Sequence, residues 1–568
     1  MTERPFLPAI SRFISATEMA DLPAVSLQRA KLVLIDCLGA IVGGMAEPDM
    51  QKLATMPQPV GTASILGATM KTDSQTAAFL NGMAGTVLEM DEGSQFARGH
   101  PGMHVFPALL AAAEDGDYTG EEFLSAFVIG YDVAARAGIG TKLRMSMHPH
   151  GTWGTLGASA ALAALYRLSE DQTSELLNIA SSLTLATSRR TMLEGGTVRN
   201  AYTGISNQMA LLACRLRQAG ISGESDGISS VFGSVAGTDF DHEAACERLG
   251  ERFEITRNYF KLHACCRYNH AALDAVVELM GRHSDLANTD AIDGIEVESY
   301  SLAAELDDRS PRNMLAAKFS VPFAIATTLV TGGTGVESFS GPALRDPRTL
   351  NLAMRVTIRE NTDMTARLPD LRPASVAIFM KNGTRLQASV ETNRGDWQDP
   401  YSQEQLSGKF MSLATRLWPE ELCKNISNQI KADKIFFTQF HAEITYSDFV
   451  YGIKPSLSDN QAVTYEGNEG SLIQAIKYAQ ENQYSVGSHT LAMGRAKPKE
   501  HGDPKDRYFV GAPKGSICIL EDVTTTGGSL INCINNLQST GMTITAAIGL
   551  TNRDEFRDDG KTVKNALA

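Results

Sequence analysis

Along residues 25–219 an apolar stripe returns every three to four positions. In VSLQRAKLVLIDCLGAIVGG it places Leu27, Ala30, Leu34, Leu38 and Ile41 on one face, and Gly43–Gly44 is expected to end the helix. Ala-rich stretches of the same period recur at 75–90, 104–115, 121–138, 154–168, 171–188 and 203–219. Their small residues predict close helix packing around a large core. From about residue 290 the period shortens. GIEVESYSL, RVTIRE and SVAIFMKNGTRLQASVETN read as strands, the last as a hairpin turning at Asn382–Gly383. A helical stretch, Ala316–Leu329, lies between them, and DPYSQEQLSGKFMSLATRLW returns the chain to helix. The expectation is a helical domain over 1–270, an inserted α+β lid domain over 271–397, a return to the helical domain over 398–430, and a separate α/β domain over 431–568. No internal repeat or low-complexity tract interrupts this order.

The last segment carries the densest chemistry. In ICILEDVTTTGGSL an apolar strand (Ile517–Leu520) meets Glu521 and Asp522, then Thr524, Thr525, Thr526, Gly527, Gly528 and Ser529, then a helix start. Backbone N–H groups of such a loop, with the helix dipole, favour a phosphate. The two acids are placed for ribose hydroxyls or for a hydrated Mg²⁺ that bridges to phosphate.

Composition changes this picture only by exclusion. The chain has 568 residues, enough for several domains, with 43% hydrophobic and 20% charged residues. Its net charge of −14 argues against nucleic acid as a partner, so anionic substrates need local basic pockets. MTERPFLPAI lacks a basic segment followed by an apolar one, and no apolar run is expected to reach the ~18 residues of a membrane span. A cytoplasmic protein with no membrane partner is the expectation. The eight Cys form no C-x-x-C pair, so no zinc ribbon or iron–sulfur cluster is indicated and reduced thiols are expected.

The 517–530 segment resembles the phosphoribosyl-pyrophosphate (PRPP) fingerprint of type I phosphoribosyltransferases. GRAKPKEHG (494–502) resembles the mobile loop of the orotate enzymes through Arg495, Lys499 and His501, with Ala496 where Lys is usual. The resemblance implies a shortened, Rossmann-like α/β domain that uses Mg²⁺, takes PRPP and orotate, and works as a homodimer. It implies Lys499 and His501 over the departing pyrophosphate, and Arg553 of GLTNRDE against the orotate carboxylate. VTYEGNEGS (Val463–Ser471) is similar to that fold's first pyrophosphate loop, but Glu466 replaces a cation there.

Residues 1–425 resemble the MmgE/PrpD family, which includes 2-methylcitrate dehydratase, cis-aconitate decarboxylase and iminodisuccinate epimerase. The motifs are NGMAGTVLEMDEGSQFARGHPGMHVFPALLA with Asp91 and His100, MHPHGTWGTLGASAA with His148, TVRNAYTGISNQMA with Arg199, KLHACCRYNH with Lys261 and Arg267, and AAKFSVPFAIA. The resemblance implies chemistry at the carbon beside a carboxylate of a small polycarboxylate, without a cofactor. His100 and His148 would be acid/base groups, since imidazole titrates near neutral pH, with Asp91 as their polar partner. Arg199, Lys261 and Arg267 would grip carboxylates, with His104 and His150 matching less well. Arg199 stands where the family has Lys, Phe323 where the decarboxylase branch has Tyr, and Gln95 where it has Thr. Decarboxylation is therefore expected to be the least favoured reaction, with dehydration or epimerisation open.

Residues 425–460 match neither family, and both are shortened there, as expected for two truncated reading frames joined together. Two alternatives stay open: a C-terminal part that senses PRPP or is a structural remnant, and a helical part that is a silent scaffold.

Overall fold

The computed structural model describes residues 6–116 and 118–431, with side chains to 427. Beyond these it describes the strands Lys454–Leu457, Val463–Glu466, Met493–Gly494, Phe509–Val510, Ser516–Thr524 and Thr543–Asn552. The chain divides into two compact units, Met1–Val450 and Tyr451–Ala568.

The helical core of the first unit is built from Ala24–Met45, Ser74–Val87, Pro101–Glu114, Gly120–Gly140, Gly154–Leu165 and Ala201–Gln218. Their starts are chemically marked. Asp73 accepts from the Gln75 and Thr76 N–H groups, and Thr119 with Glu122 forms a capping box. Pro101 occupies the first helical turn directly after His100, where its missing N–H costs nothing. The helix Glu170–Ser182 ends earlier than the apolar pattern suggested, and 183–189 runs on as a loop.

The first long helix does not stop at Gly43–Gly44; it continues to Met45. These glycines are contact points. A Cβ on Gly44 would lie 1.9 Å from the Ala84 carbonyl oxygen, so the backbones of two helices touch there. Gly44→Ala is expected to cost about 1–3 kcal/mol through overpacking between two rigid helices. Urea unfolding should show a lower midpoint with an unchanged helical baseline.

Gly120–Gly140 is long and apolar enough to cross a membrane, contrary to the expectation that no run would be. It is a core helix, with 89% of its most apolar window buried inside the protein.

The α+β part holds a four-stranded sheet ordered Val356–Glu360, Ile292–Ser299, Ala374–Met380, Arg385–Val390. The first pair is parallel and the other two are antiparallel. The hairpin turns at Asn382–Gly383, where Gly383 has φ +86°. The helices His270–Arg282 and Val321–Thr331 share a core with this sheet. The single helix expected at 316–329 is two, Met314–Lys318 and Val321–Thr331, because Ser320 breaks the run and caps the second through the Phe323 N–H. The helix Gln403–Ala414 then packs on Ala24–Met45.

In the second unit Ser516–Thr524 and Thr543–Asn552 pair in parallel, with Ile519 opposite Ala547. Glu521, Asp522 and Thr524 lie within the first of these strands rather than after it. Arg495, Lys499, His501, Thr525, Thr526, Gly527, Gly528, Ser529 and Arg553 lie outside the described residues.

Candidate active site

The loop between Ser74–Val87 and Pro101–Glu114 carries Glu89, Asp91, Glu92, Gln95 and His100. It is held by short backbone pairings, Gly93 with Tyr259 and Ser94 with Gly99. Glu89 has φ +56°, a conformation that costs a non-glycine residue roughly 1 kcal/mol or more.

Asp91 is fully buried at the centre. Its Oδ2 is 3.0 Å from His100 Nδ1, and its Oδ1 is 3.3 Å from Lys261 Nζ. Burial alone would raise the Asp91 carboxyl, but His100, Lys261 and Arg199 hold it far below the usual carboxylate range. Lys261 Nζ also lies 3.5 Å from Glu89, whose other oxygen pairs with Arg199. Burial would lower Lys261, but Asp91 and Glu89 outweigh it and keep the ammonium charged.

His100 Nδ1 is 2.6 Å from the Glu92 carbonyl oxygen as well as beside Asp91. The Glu92 carbonyl takes the Nδ1 hydrogen, and the Asp91 carboxylate lies beside the same nitrogen as a negative charge. His148 has the opposite arrangement: its Nδ1 accepts from the His150 N–H at 3.0 Å, so the neutral ring carries its hydrogen on Nε2. His150 stands between them, its ring centroid 4.7 Å from that of His100 and 4.8 Å from that of His148. Burial, then the nearby Arg199, pushes His148 and His150 well below the ordinary imidazole range. His104, on the next turn of helix, donates to the His100 carbonyl at 2.9 Å and is lowered to about 4 by burial.

Asp91, His100, His148, Arg199 and Lys261 are thus brought together. Arg267 is engaged elsewhere: its guanidinium holds Asp396, the Arg394 carbonyl and His270, and stacks 4.5 Å over the Tyr259 ring. Sequence reasoning passed over Glu89, which neutralises two cations, and Tyr259, whose ring stands edge-on to His100 at 6.3 Å. The E-M-D spacing of Glu89 and Asp91 was the available signal. Lys318 was quoted only within a motif, yet it is buried and donates to the Val87 carbonyl at 2.8 Å. Phe323 is fully buried against Phe339, so that position offers packing and no hydroxyl.

Glu92 lies beneath this layer. Its carboxylate accepts from Gly102 N–H at 2.8 Å and Tyr131 O–H at 2.9 Å, tying down the start of the helix behind His100. Burial pushes it from an ordinary 4.5 up to about 8 despite those bonds. Because the folded value is raised, the native state holds a proton that the unfolded chain releases. The Glu92 contribution to stability is therefore full below pH ~4.5 and is lost as pH rises towards ~8. Glu92→Gln is expected to remove at least half of that slope, read from urea unfolding at pH 5, 6.5 and 8.

Imidazoles, a buried carboxylate and paired cations thus meet in one buried cluster, the residue types of an acid/base site. The chain belongs to the MmgE/PrpD family: the MmgE/PrpD N-terminal domain matches residues 8–243 and the C-terminal domain residues 263–433. It is similar to the cis-aconitate decarboxylase of Aspergillus terreus, 26% identical over 440 residues, covering 72% of this chain and 89% of the relative. The human cis-aconitate decarboxylase is 23% identical over 427 residues, covering 71% and 87%. A shorter likeness joins this chain to the orotate phosphoribosyltransferase of Bradyrhizobium diazoefficiens, 27% identical over 137 residues, covering 20% of this chain and 72% of the relative.

Proposed function

We propose that the first unit is a lyase or isomerase that moves a proton at the carbon next to a carboxylate of a small polycarboxylate. The observation that carries this reading is the contact of His100 Nδ1 with the Glu92 carbonyl, beside the Asp91 carboxylate. With the Nδ1 hydrogen on the Glu92 carbonyl, Nε2 of the neutral ring would take a proton from carbon, and the Asp91 carboxylate 3.0 Å from Nδ1 would stabilise the imidazolium formed. The electron pair left behind spreads into the adjacent carboxylate, where Lys261 and Arg199 supply positive charge. His148 offers its Nε2 hydrogen as a bond donor. In epimerisation the proton returns to the other face; in dehydration the neighbouring C–O bond breaks and hydroxide takes up a proton to leave as water. The relatives named as decarboxylases make CO₂ loss a third outcome, which the missing hydroxyl at Phe323 disfavours. The test incubates the protein in D₂O with 2-methylcitrate, cis-aconitate and a chiral dicarboxylate, followed by NMR. Deuterium at the carbon next to a carboxylate, lost in His100→Asn, supports the reading; no exchange and no turnover of any of them rejects it.

We further propose that the second unit is an orotate phosphoribosyltransferase-like module. PRPP would lie on Thr524–Ser529 with Glu521 and Asp522 at the ribose. Lys499 and His501 would neutralise the leaving pyrophosphate, with Arg495 nearby and Arg553 on the orotate carboxylate. Glu521 and Asp522, in the second half of the strand Ser516–Thr524, would supply oxygen donors for a hydrated Mg²⁺ carried by PRPP. The short likeness to orotate phosphoribosyltransferases and the parallel strand pair support this reading. Titration with Mg²⁺-PRPP and orotate, following orotate absorbance, tests it. Binding of PRPP without conversion would favour a sensor, and no binding a remnant.

A further inference from the structure

The cations buried around the site differ in how they are balanced. Arg199 has Glu89, Lys261 has Glu89 and Asp91, and Arg267 has Asp396. Two cations have no carboxylate ion pair among the described residues. One is Lys318, which burial lowers to about 8, so that it can shed its proton. The other is Arg372, 5% exposed, which cannot do so because a guanidinium stays charged.

Among the described residues Arg372 has one hydrogen-bond partner, the Gln95 carbonyl oxygen at 2.9 Å from Nη2, and no other. Its Nε is buried without a partner. Its guanidinium lies 5.5 Å over the Tyr268 ring, and Asp396, the carboxylate it feels, is already held by Arg267. Two guanidiniums thus share one carboxylate and leave one uncompensated positive charge. A permanently charged, buried and unpaired group is strongly unfavourable unless an anion completes it.

The position says which anion. Arg372 stands two residues before the strand Ala374–Met380, and it reaches the backbone of Gln95, midway between Asp91 and His100 on the loop that carries them. Tyr259 connects the two, standing edge-on to His100 and having Arg372 as its strongest charged neighbour. The fixed, planar fork of Arg372 suits a carboxylate.

We propose that Arg372 binds a second carboxylate of the substrate, remote from the reacting carbon, and so selects polycarboxylates over monocarboxylates. This rests on reading the site as one for carboxylate substrates. Calorimetric binding to the full chain tests it without any reaction, using tricarballylate (a saturated tricarboxylate) and butyrate. Arg372→Gln is expected to weaken tricarballylate at least ten-fold and leave butyrate within about two-fold. With a reacting substrate, KM should rise at least ten-fold while kcat stays within about three-fold. Arg372→Lys keeps charge but loses the fork, and is expected to fall between. That variant decides the matter if Arg372→Gln loses its helical circular dichroism, because a merely structural role leaves the affinity of a folded Arg372→Lys protein unchanged. Wild-type affinity in the folded variants, with the wild type itself binding, would overturn the role of Arg372 alone. A wild type that binds neither ligand would overturn the reading of the site and this role with it.

Discussion

Asparagine at position 91 is expected to lower kcat by about 10²–10⁴-fold while leaving the fold intact, the range spanned by removing general acid–base function. The side chains are the same size, so packing is kept. What changes is charge and hydrogen bonding around His100. In the native site the Glu92 carbonyl takes the Nδ1 hydrogen and the Asp91 carboxylate lies 3.0 Å from the same nitrogen. An amide at 91 carries no negative charge beside the ring, so it lowers the basicity of Nε2. It also fails to stabilise the imidazolium that proton abstraction creates. Lys261 would keep only Glu89 as a carboxylate partner. Because Asp91 and His100 act as one unit, Asp91→Asn combined with His100→Asn should cost little more than the worse single variant. A drop in kcat of under three-fold for Asp91→Asn would remove the proton-transfer role from this pair.

The second large effect is structural. Lys409, on Gln403–Ala414, pairs with Asp36 and donates to the Met90 carbonyl, with both side chains nearly inaccessible. Met90 lies between Glu89 and Asp91, so this bond ties the late helix to the catalytic loop. Lys409→Met removes one partner of a buried ion pair and leaves Asp36 and a carbonyl unmatched. Such a change costs about 3–5 kcal/mol, a large part of the 5–15 kcal/mol typical of a folded domain. Burial already pushes the Asp36 carboxyl up despite Lys409, so protonation of Asp36 limits the damage at low pH. Denaturant unfolding at pH 5 and pH 8 should show the greater loss at pH 8. Replacing Asp36 with Leu alongside Lys409→Met should recover much of it, since no buried charge then stays alone. An unchanged unfolding midpoint in the single variant would mean that the pair is dispensable.

Most helices were legible because apolar periodicity survives in Ala-rich sequence, and the hairpin at Asn382–Gly383 was legible from its turn residues. Gly43–Gly44 marked the helix end to within one residue, but the close approach they allow to the Ala84 backbone, forty positions on, was not legible. Asp91, His100 and His148 stood out as motif residues. Their balance of charge did not, because it is set across long separations: Lys261 meets Asp91 over 170 positions and Arg267 meets Asp396 over 129. Arg267 looked like a free cation for that reason, and Arg372 gave no signal at all. The second unit was read from a compact local fingerprint, which needs no distant partner to be recognised.

The pairing of Asp36 with Lys409 spans 373 positions of the chain. During vectorial synthesis at roughly 5–20 residues per second, about 20–70 s pass between the appearance of the two. Over that interval the helix Ala24–Met45 lacks the partner that Phe410 and Leu413 provide at Gly39 and Gly43. One of the first long helices made is therefore among the last to be fully covered. A nascent chain halted before residue 403 should still be captured by a holdase chaperone, and one released after residue 431 should not.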